Sequence, residues 1–424
     1  MTKIYIKTFG CSLNQSDSEV LAGALQKAQF EIVYTLSKAD LIIVNSCCVK
    51  KPTENKFFRY LNLLKKQNKP IIIAGCMAQA LPERVKEFSL IGTYQLQNIV
   101  TVVEEILSGN TVHLIVKEKN PRLNLPKIRR NDIIEIVPIC SGCLGNPCSY
   151  CIVPQARGEL VSYDKDAILK QIREALAENV REIWLTAQDT GCYGKEIHDT
   201  LPNLLREIIK IPNKFNIRLG MINPNHVLEY MDELIQIYKS DKLFKFLHIP
   251  VQSGNNEILQ KMKRKYTAEQ FKEIVLRFRK EIPDITISTD IICGFPGETK
   301  EQFNDSVKFI QNVRPDVLNI SRFWTRKGTE AEQMEQQIPS WETKNRSRHM
   351  SSVFDWISFE NNKRWMGWEG YVVVDDHGKN NTFIARNHAY KQIIIESTKD
   401  LFGEVLHVKI DAITKYDLRG KILG

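Results

Sequence analysis

ICSGCLGNPCSYC, residues 139–151, places four cysteines at short spacing directly after a predicted β-strand at Ile133–Pro138. Thiolates at such spacing bind zinc or iron–sulfur clusters. A structural zinc ribbon usually separates its two cysteine pairs by about 15 residues or more, whereas only residues 144–147 separate them here. The segment therefore favours an iron–sulfur cluster, and three cysteine ligands would leave one iron open to bind a substrate group.

Strands and helices alternate from this loop to about residue 335. An amphipathic helix is predicted at Asp164–Glu178. Further strands follow at Glu182–Thr186, Ile217–Met221, Phe246–Ile249, Thr286–Ile292 and Val317–Phe323. Roughly six β/α units predict an incomplete barrel, whose active site would lie at the carboxyl ends of its strands. The candidate site loops are the polar segments that follow these strands, namely LTAQDTG, MINPN, HIPVQSG and CGFPGET.

The first 111 residues also alternate strands and helices, which predicts a parallel sheet covered on both faces. Cys11, Cys47 and Cys76 each follow a predicted strand, at Ile4–Thr8, Leu41–Asn45 and Pro70–Ala74. Open parallel sheets bind ligands beyond the carboxyl ends of their strands. These three cysteines are therefore expected to converge on one edge of the sheet. The pattern alone leaves a second interpretation open, because free cysteine is also a common small buried hydrophobe.

The remaining segments are two linkers and a C-terminal all-β region. Residues 112–132 form a basic linker containing Pro121 and Lys119, and residues 336–365 form a charged helical linker. Residues 366–424 contain four runs of alternating apolar residues, the last at Val405–Ile410, and predict a small barrel. Small barrels of this type often bind nucleic acid.

Composition limits the compartment and the partners. None of the apolar runs among the 424 residues approaches the length of a membrane span, and no secretory signal is recognisable, so a cytoplasmic protein is expected. In a reducing compartment, ten cysteines are more typical of metal binding or chemistry than of disulfides. The net charge of +9 is compatible with a nucleic-acid partner and equally with none.

The motifs together resemble those of the radical S-adenosylmethionine methylthiotransferases over nearly the whole chain. The resemblance is carried by GCLGNPCSYC followed by ARG, by NSC and AGC upstream, and by GYVVVDDHGK, IARNHAYKQIIIE and GEVLHVKI near the C-terminus. It implies an α/β chain with a Rossmann-like N-terminal domain at 1–111, a partial (β/α)6 radical-SAM barrel at 133–335 and a small all-β TRAM barrel at 366–424.

The resemblance also implies roles for individual residues. Cys143, Cys148 and Cys151 resemble the ligands of the radical-generating [4Fe–4S] cluster, and Tyr150 the aromatic residue that approaches the adenine of S-adenosylmethionine. Cys11, Cys47 and Cys76 resemble the ligands of a second [4Fe–4S] cluster, with Cys47 preferred over Cys48 because the family motif is N-[ST]-C. The remaining expected contacts of S-adenosylmethionine are Gln188, Asp189, Gln252, Ser253 and the segment from Gly294 to Glu298.

One departure from the family pattern leaves the first ligand of the cysteine loop open. The usual spacing is C-x3-C-x2-C, whereas four residues separate Cys143 from Cys148. The extra residue falls within Gly145-Asn146-Pro147. Either the loop bulges and keeps Cys143, or Cys140 replaces it.

The implied reaction is reductive cleavage of S-adenosylmethionine and replacement of a C–H hydrogen by a methylthio group. The loops WLTAQDTGCYG, RLGMINPN, HIPVQSG and TDIICGFPGET resemble the archaeal and eukaryotic branch, which acts on N6-threonylcarbamoyladenosine beside the anticodon of tRNA. The implied partners are the anticodon stem–loop, an electron donor and a sulfur donor. Arg386, Lys391, Lys409 and Lys415 are candidate RNA contacts.

Two alternatives remain at this stage. One keeps the chemistry but transfers the methylthio group to another RNA base or to an aspartate of a ribosomal protein. The other is a non-catalytic iron–sulfur protein that binds RNA. Cys48, Cys192 and Cys293 have no assigned role and are expected to be small buried hydrophobes.

Overall fold

The computed structural model describes residues 1–118, 122–145 and 147–423. Lys119 and Pro121 of the basic linker and Asn146 of the cysteine loop lie outside the described residues. The chain forms two compact units. Unit 1 contains Met1–Pro147, Cys151–Glu174 and Thr186–Gln188, and unit 2 contains Cys148–Tyr150, Ala175–Leu185 and Asp189–Gly424.

Unit 1 is built on a six-stranded parallel sheet of order β2-β1-β3-β4-β5-β6. Its strands are β1 (Lys3–Phe9), β2 (Glu31–Val33), β3 (Leu41–Ser46), β4 (Ile71–Ala74), β5 (Ser89–Ile91) and β6 (His113–Leu114). Its helices are α1 (Ser12–Lys27), α2 (Lys51–Leu64), α3 (Cys76–Ala80) and α4 (Ile99–Leu107).

Both faces of this sheet are buried, which explains the continuous apolar run of β3. Ile42 and Val44 pack with Phe57 of α2 in one apolar cluster. Leu41 and Ile43 belong to the cluster on the other face, together with residues of α1 and α4. Because side chains alternate along a strand, a strand covered on both sides is apolar on both faces, as Leu41 to Val44 are.

The middle of the chain continues with strands and helices in alternation. The strands are β7 (Ile134–Pro138), β8 (Cys140–Ser141), β9 (Val161–Ser162), β10 (Glu182–Thr186), β11 (Asn216–Leu219), β12 (Phe246–His248), β13 (Thr286–Cys293) and β14 (Val317–Arg322). The helices are α5 (Val153–Arg157), α6 (Lys165–Ala177), α7 (Leu201–Ile209), α8 (Pro224–Glu229), α9 (Met231–Tyr238), α10 (Asn256–Lys261), α11 (Ala268–Glu281), α12 (Lys300–Val313) and α13 (Glu330–Gln333). In unit 2, β10 pairs in parallel with β11, and β12, β13 and β14 pair in parallel in that order.

The C-terminal part of unit 2 is a long helix followed by a closed barrel. Helix α14 (Ser340–Asn362) precedes β15 (Glu369–His377), β16 (Thr382–Arg386), β17 (Gln392–Glu396), β18 (Val405–Ile413) and β19 (Leu418–Ile422). The barrel closes in the order β15-β16-β17-β19-β18 around a core that includes Trp365, Ile393 and Ile410. The sequence predicts four of these strands, and the structure adds β19.

The barrel is fastened to the α/β part of unit 2 by aromatic and backbone contacts. The Tyr390 ring lies 4.8 Å from Phe244 and 5.2 Å from Phe246. The Lys245 amide donates a hydrogen bond of 2.8 Å to the His388 carbonyl. Across the described residues, no helix combines the length and apolarity that a membrane crossing requires.

Several cations of the predicted basic linker are engaged inside unit 1. Lys127 and Arg129 both bind the buried carboxylate of Glu135 on β7, Arg129 at 2.5 Å. Arg122 binds the buried Asp17 at 2.7 Å. These three side chains therefore neutralise buried acids, which leaves them unsuited to contact phosphates.

Candidate active site

Cys11, Cys47 and Cys76 come together in unit 1, beyond the carboxyl ends of β1, β3 and β4. Asn14, on the first turn of α1, holds its Oδ1 at 3.6 Å from the Sγ of Cys11 and at 3.6 Å from the Sγ of Cys76. The Cys47 thiol hydrogen-bonds with that of Cys76. The sheet edge thus gathers three thiols that are dispersed in the sequence.

Glycines permit this close approach. Gly10 has a φ of +149°, and a Cβ at this position would lie 2.9 Å from the Cβ of Cys47. Gly75 has a φ of +81°, and its Cβ would overlap the side-chain amide of Asn45. That amide donates 2.8 Å to the Asn14 carbonyl and 2.9 Å to Ser18. The asparagine of the NSC motif therefore fixes the start of α1, which carries Asn14 toward the thiols.

Cys47 and Cys48 lie in different surroundings. Cys47 faces Cys76, and its Sγ accepts 3.3 Å from the Val49 amide. Cys48 is fully buried in the apolar cluster of Phe57.

Among the described residues, no three His, Cys, Asp or Glu side chains are arranged to hold a single metal ion. A cubane cluster binds its thiolates on separate irons, so its ligands stand farther apart than those of one ion.

A buried arginine brings positive charge to these thiols. Arg157, at the end of α5, donates from Nη2 to Asp17 Oδ2 at 2.6 Å and to Asn14 Oδ1 at 3.2 Å. Burial alone lowers the pKa of Arg157, but Asp17 and the thiol of Cys76 raise it well above its usual value. The hydrogen bond with Cys47, helped by the charge of Arg157, lowers the pKa of Cys76 to about 6. The anionic form is therefore favoured at Cys76, whereas burial raises the pKa of Cys11 and the same hydrogen bond raises the pKa of Cys47.

The part of the cysteine loop that belongs to unit 1 separates the two candidates for its first ligand. Cys140 is 0 % exposed and lies in β8, where it pairs with Ser162 of β9. Cys143 is partly exposed and lines a cavity of about 460 Å³ together with Tyr94, Lys117 and Gly158. The Cys151 Sγ accepts 3.4 Å from the Val153 amide at the start of α5. Access thus favours Cys143 over Cys140.

The three loop residues that belong to unit 2 contact α10, the loop after it, α13 and the loop after β13. The hydroxyl of Ser149 donates 2.8 Å to the Lys261 carbonyl, and its carbonyl accepts 2.8 Å from the Ala331 amide. The Tyr150 ring makes an edge contact with Phe295, with 6.2 Å between centroids. Arg264 Nη1 lies 3.1 Å from the Cys148 Sγ.

Arg264 ties Cys148 to the loop HIPVQSG. Its Nε donates 2.8 Å to the hydroxyl of Tyr266, which donates to the carbonyls of Pro250 at 2.8 Å and Val251 at 2.9 Å. Sequence analysis missed both Arg264 and Tyr266. No local pattern marks them, since their role depends on contacts with residues 148 and 250–251.

The residues expected to contact S-adenosylmethionine differ in their surroundings. In unit 1, Gln188 Oε1 accepts 2.8 Å from the Gly142 amide. In unit 2, the buried Asp189 accepts from the Gly191 amide at 3.0 Å and from the Asn223 side chain at 2.6 Å. Both side chains therefore brace loop backbone at strand ends.

Gln252 and Ser253 shape the turn after β12. Gln252 has a φ of +67°, in the left-handed region, and its amide donates 2.8 Å to the Asp290 carbonyl of β13. The fully buried Ser253 hydroxyl lies 3.2 Å from that of Ser306. A non-glycine residue in this backbone region is uncommon and marks a constrained turn.

Gly294 and Glu298 join β13 to α14. The buried Glu298 carboxylate accepts from the Gly294 amide at 2.8 Å and forms an ion pair with Arg346 at 2.8 Å. Gly294 has a φ of +81°, and a Cβ there would overlap Thr343 of α14. The hydrogen bonds of Glu298 are thus made within the protein.

A further polar pair escaped sequence analysis. His248, at the end of β12, places Nε2 at 2.5 Å from Asp290 Oδ2 on the neighbouring β13. Both side chains are about one-fifth exposed. The sequence shows both residues, in the HIP and TDI segments. It does not predict that they pair, because the pairing depends on the parallel register of β12 and β13.

The candidate RNA contacts divide into buried and exposed groups. Arg386 is one-fifth exposed, but its charge is neutralised by the buried Asp375 at 3.0 Å, whereas Lys391 is itself buried. Lys409 is exposed on β18, where it pairs with Glu369. On the same strand pair, the 72 % exposed Tyr371 ring lies 5.0 Å from the ring of His407. This barrel face combines aromatic rings with a lysine.

Both the N-terminal part and the middle part of the chain match models of known protein families. The model of the radical SAM superfamily matches residues 137–310, and that of uncharacterized protein family UPF0004 matches residues 3–92. A Pyrococcus horikoshii protein named probable threonylcarbamoyladenosine tRNA methylthiotransferase is 40% identical over 428 residues, covering all of both chains. The human protein named threonylcarbamoyladenosine tRNA methylthiotransferase is 40% identical over 430 residues, covering 99% of this chain and 74% of its own.

Solved structures show the same fold at low identity. The radical S-adenosylmethionine methyltransferase TsrM from Kitasatospora setae, with cobalamin and a [4Fe-4S] cluster bound, superposes with a TM-score of 0.58 at 14% identity. The match covers 78% of this chain and 77% of that one. At this identity the likeness concerns the fold alone.

Proposed function

The chain belongs to the family of threonylcarbamoyladenosine tRNA methylthiotransferases, and from that premise we propose the reaction that it catalyses. The enzyme converts N6-threonylcarbamoyladenosine, on the 3′ side of the tRNA anticodon, to its 2-methylthio derivative. The observation that carries this proposal is the convergence of Cys11, Cys47 and Cys76 beside Asn14. A second thiol triad, besides the one in the cysteine loop, suits transfer of sulfur.

The cofactors of the proposal are two [4Fe–4S] clusters and S-adenosylmethionine. Cys11, Cys47 and Cys76 would hold one cluster, and Cys143, Cys148 and Cys151 the other. Thiolates are the ordinary ligands of such clusters, and the buried charge of Arg157 suits an anionic group at the first triad. When bound, the loop cluster and S-adenosylmethionine would supply a radical able to remove hydrogen from an unreactive C–H bond. The other cluster would hold the sulfur that comes from the sulfur donor, and a second S-adenosylmethionine would supply its methyl group.

The residues of the chain hold these groups in place. Arg264 lies against the sulfur of Cys148, where its charge would balance that of a cluster-bound thiolate. Through Tyr266 it ties that ligand to Val251 in the loop HIPVQSG. Displacement of this loop on binding S-adenosylmethionine would therefore also displace Cys148, a proposed ligand of the cluster. Tyr150, packed against Phe295, is the proposed neighbour of the adenine.

The substrate of the proposal is the anticodon stem–loop. The bases of its loop are unpaired and can stack on aromatic side chains. Tyr371 and His407 offer such rings on the exterior of the C-terminal barrel, beside Lys409. An electron donor and a sulfur donor complete the set of partners, and we place the activity in the cytoplasm.

Nucleoside analysis of tRNA tests this function. The anaerobically reconstituted enzyme is incubated with S-adenosylmethionine, dithionite, sulfide and tRNA that carries threonylcarbamoyladenosine. The expected product is a nucleoside in which a methylthio group replaces one hydrogen. Transcripts with unmodified adenosine, and ribosomal proteins, serve as competing substrates. Modification of either in preference to the threonylcarbamoyladenosine tRNA would refute the assignment of substrate.

A variant control separates chemistry from binding. Cys76→Ala should still cleave S-adenosylmethionine to 5′-deoxyadenosine but yield no methylthio product. Cys151→Ala should lose both activities. If Cys76→Ala kept the methylthio transfer, the dispersed triad would have no part in the reaction.

A further inference from the structure

Arg157 has hydrogen-bonding capacity that the described residues do not use. Its side chain is 2 % exposed, its Nη2 donates to Asp17 and Asn14, and its charge also acts on the Cys76 thiol. Within the described part of the chain, Nε and Nη1 are buried without a hydrogen-bond partner. Leaving buried donors of a charged group unsatisfied is costly. The geometry therefore calls for an acceptor beside this guanidinium.

The acceptor should be an anion, because the local charge is positive. Asp17 is bound by two guanidinium groups, Arg157 at 2.6 Å and Arg122 at 2.7 Å. One carboxylate against two cations leaves one positive charge. Arg157 carries it toward the thiols, since Asn14 Oδ1 contacts both Arg157 and the sulfur atoms of Cys11 and Cys76.

We propose that Arg157 donates hydrogen bonds from Nε and Nη1 to the sulfur atoms of the cluster held by Cys11, Cys47 and Cys76, and that its charge raises the reduction potential of that cluster. This inference rests on the proposed function. The net charge of a cluster site and the hydrogen bonds to its sulfurs are the features that set its potential. A cation in contact with the cluster favours the reduced form, which carries one more negative charge.

The position of Arg157 in the chain adds a consequence. Helix α5 begins two residues after Cys151, a proposed ligand of the other cluster, and ends at Arg157. Folding of the cysteine loop onto its own cluster thus sets the helix that presents Arg157. We expect loss of the loop cluster to change the potential of the cluster at the dispersed triad in the same direction as loss of Arg157, but less.

The test is a redox titration followed by electron paramagnetic resonance. It uses the full-length chain with Cys148→Ala, so that the signal comes from the dispersed triad alone. Arg157→Met should keep this cluster but shift the reduced-to-oxidised ratio at least tenfold toward the oxidised form, a change of at least 59 mV for one electron. Arg122→Met removes a partner of the same Asp17 without touching the thiols, and should shift the ratio less than Arg157→Met does.

A variant of opposite sign keeps the proposal open to refutation if Arg157→Met fails to fold. Asp17→Asn keeps the shape of the carboxylate but removes its charge, so it should shift the ratio toward the reduced form. An unchanged ratio in Arg157→Met, or an oxidising shift in Asp17→Asn, would overturn the inference. Failure of the proposed function is distinguishable, because the chain with intact Arg157 would then bind no cluster at Cys11, Cys47 and Cys76.

Discussion

Replacing Arg386 by methionine should destabilise unit 2, because two buried carboxylates would lose the positive charge that compensates them. Arg386 on β16 donates from Nε to Asp375 Oδ2 at 3.0 Å, and both Asp375 and the nearby Glu182 are buried. The charge of Arg386 acts on both carboxyl groups. Removing one partner of a buried ion pair costs about 3–5 kcal/mol, because the other charge remains buried without compensation. Arg386→Met is expected to lose that much free energy of unfolding at pH 8.

The loss should depend on pH. Burial and the charge of Asp375 raise the pKa of Glu182 to about 7 in the folded protein, and Arg386 opposes that rise. Without Arg386 the folded-state pKa rises further. A raised carboxyl pKa means that the folded state holds a proton that the unfolded state releases, so stability falls as the pH rises from about 4.5 through the folded pKa. The variant should therefore recover part of its stability at pH 6.

Urea unfolding followed by tryptophan fluorescence measures both effects, since Trp365 lies in the core of the barrel. The matched control is Lys409→Met, which removes a lysine from an ion pair whose side chains are 51% and 45% exposed. An exposed pair is worth about 0–1 kcal/mol. If Arg386→Met cost no more than Lys409→Met, or lost the same amount at pH 6 and pH 8, the account of a buried charge cluster would be wrong.

Three other predictions concern the cysteine loop, the contact of Gly294 with α14, and the barrel face of Tyr371 that is proposed to bind RNA. Cys143→Ala should halve the iron content of the reconstituted enzyme while Cys140→Ala retains it, as read by iron analysis and Mössbauer spectroscopy, and the reverse pattern would give the first ligand position to Cys140. Gly294→Ala should cost about 1–3 kcal/mol in urea unfolding through backbone strain and overlap with α14. Gly367→Ala, with a φ of +77° but open space around it, should cost less, and an equal loss would exclude the overlap. Tyr371→Ala should weaken binding of the anticodon stem–loop by about 1–3 kcal/mol in a fluorescence anisotropy titration if a base stacks on it, whereas an unchanged affinity would remove this ring from the interface.

The N-terminal sheet was predictable because its strands and helices are indicated by patterns of residues that are close together in the sequence. Leu41–Ser46 is buried at every position, and its first four residues form a continuous apolar run in the sequence. The positions of the thiols were predictable because each follows a strand that the sequence predicts. The last strand of the barrel was not predictable in this way. Leu418–Ile422 has only two apolar side chains, one at each end, and it forms a strand because it pairs with β18 on one side and β17 on the other.

Charged residues show more clearly where prediction from the sequence fails. Arg386 and Lys391 were expected to contact RNA as basic residues of the small barrel. The structure buries Lys391 and leaves Arg386 only one-fifth exposed, because each interacts with an acid elsewhere in the chain, Asp316 for Lys391 and Asp375 for Arg386. Arg157 was missed for the converse reason, because its partner Asp17 lies 140 residues earlier in the chain. Periodicity carries no information about such pairings.

The features that sequence analysis missed around the dispersed triad share one physical property, which is that each is unfavourable by itself. Gly10 and Gly75 adopt backbone conformations with positive φ, and Arg157 is buried with two unsatisfied nitrogens. Departures of this kind collect at functional sites, where the surrounding structure holds them in place. A triad of buried hydrophobic cysteines would need neither the glycines nor the cation. An anionic cluster needs both, because it requires room between the thiols and charge to balance its own.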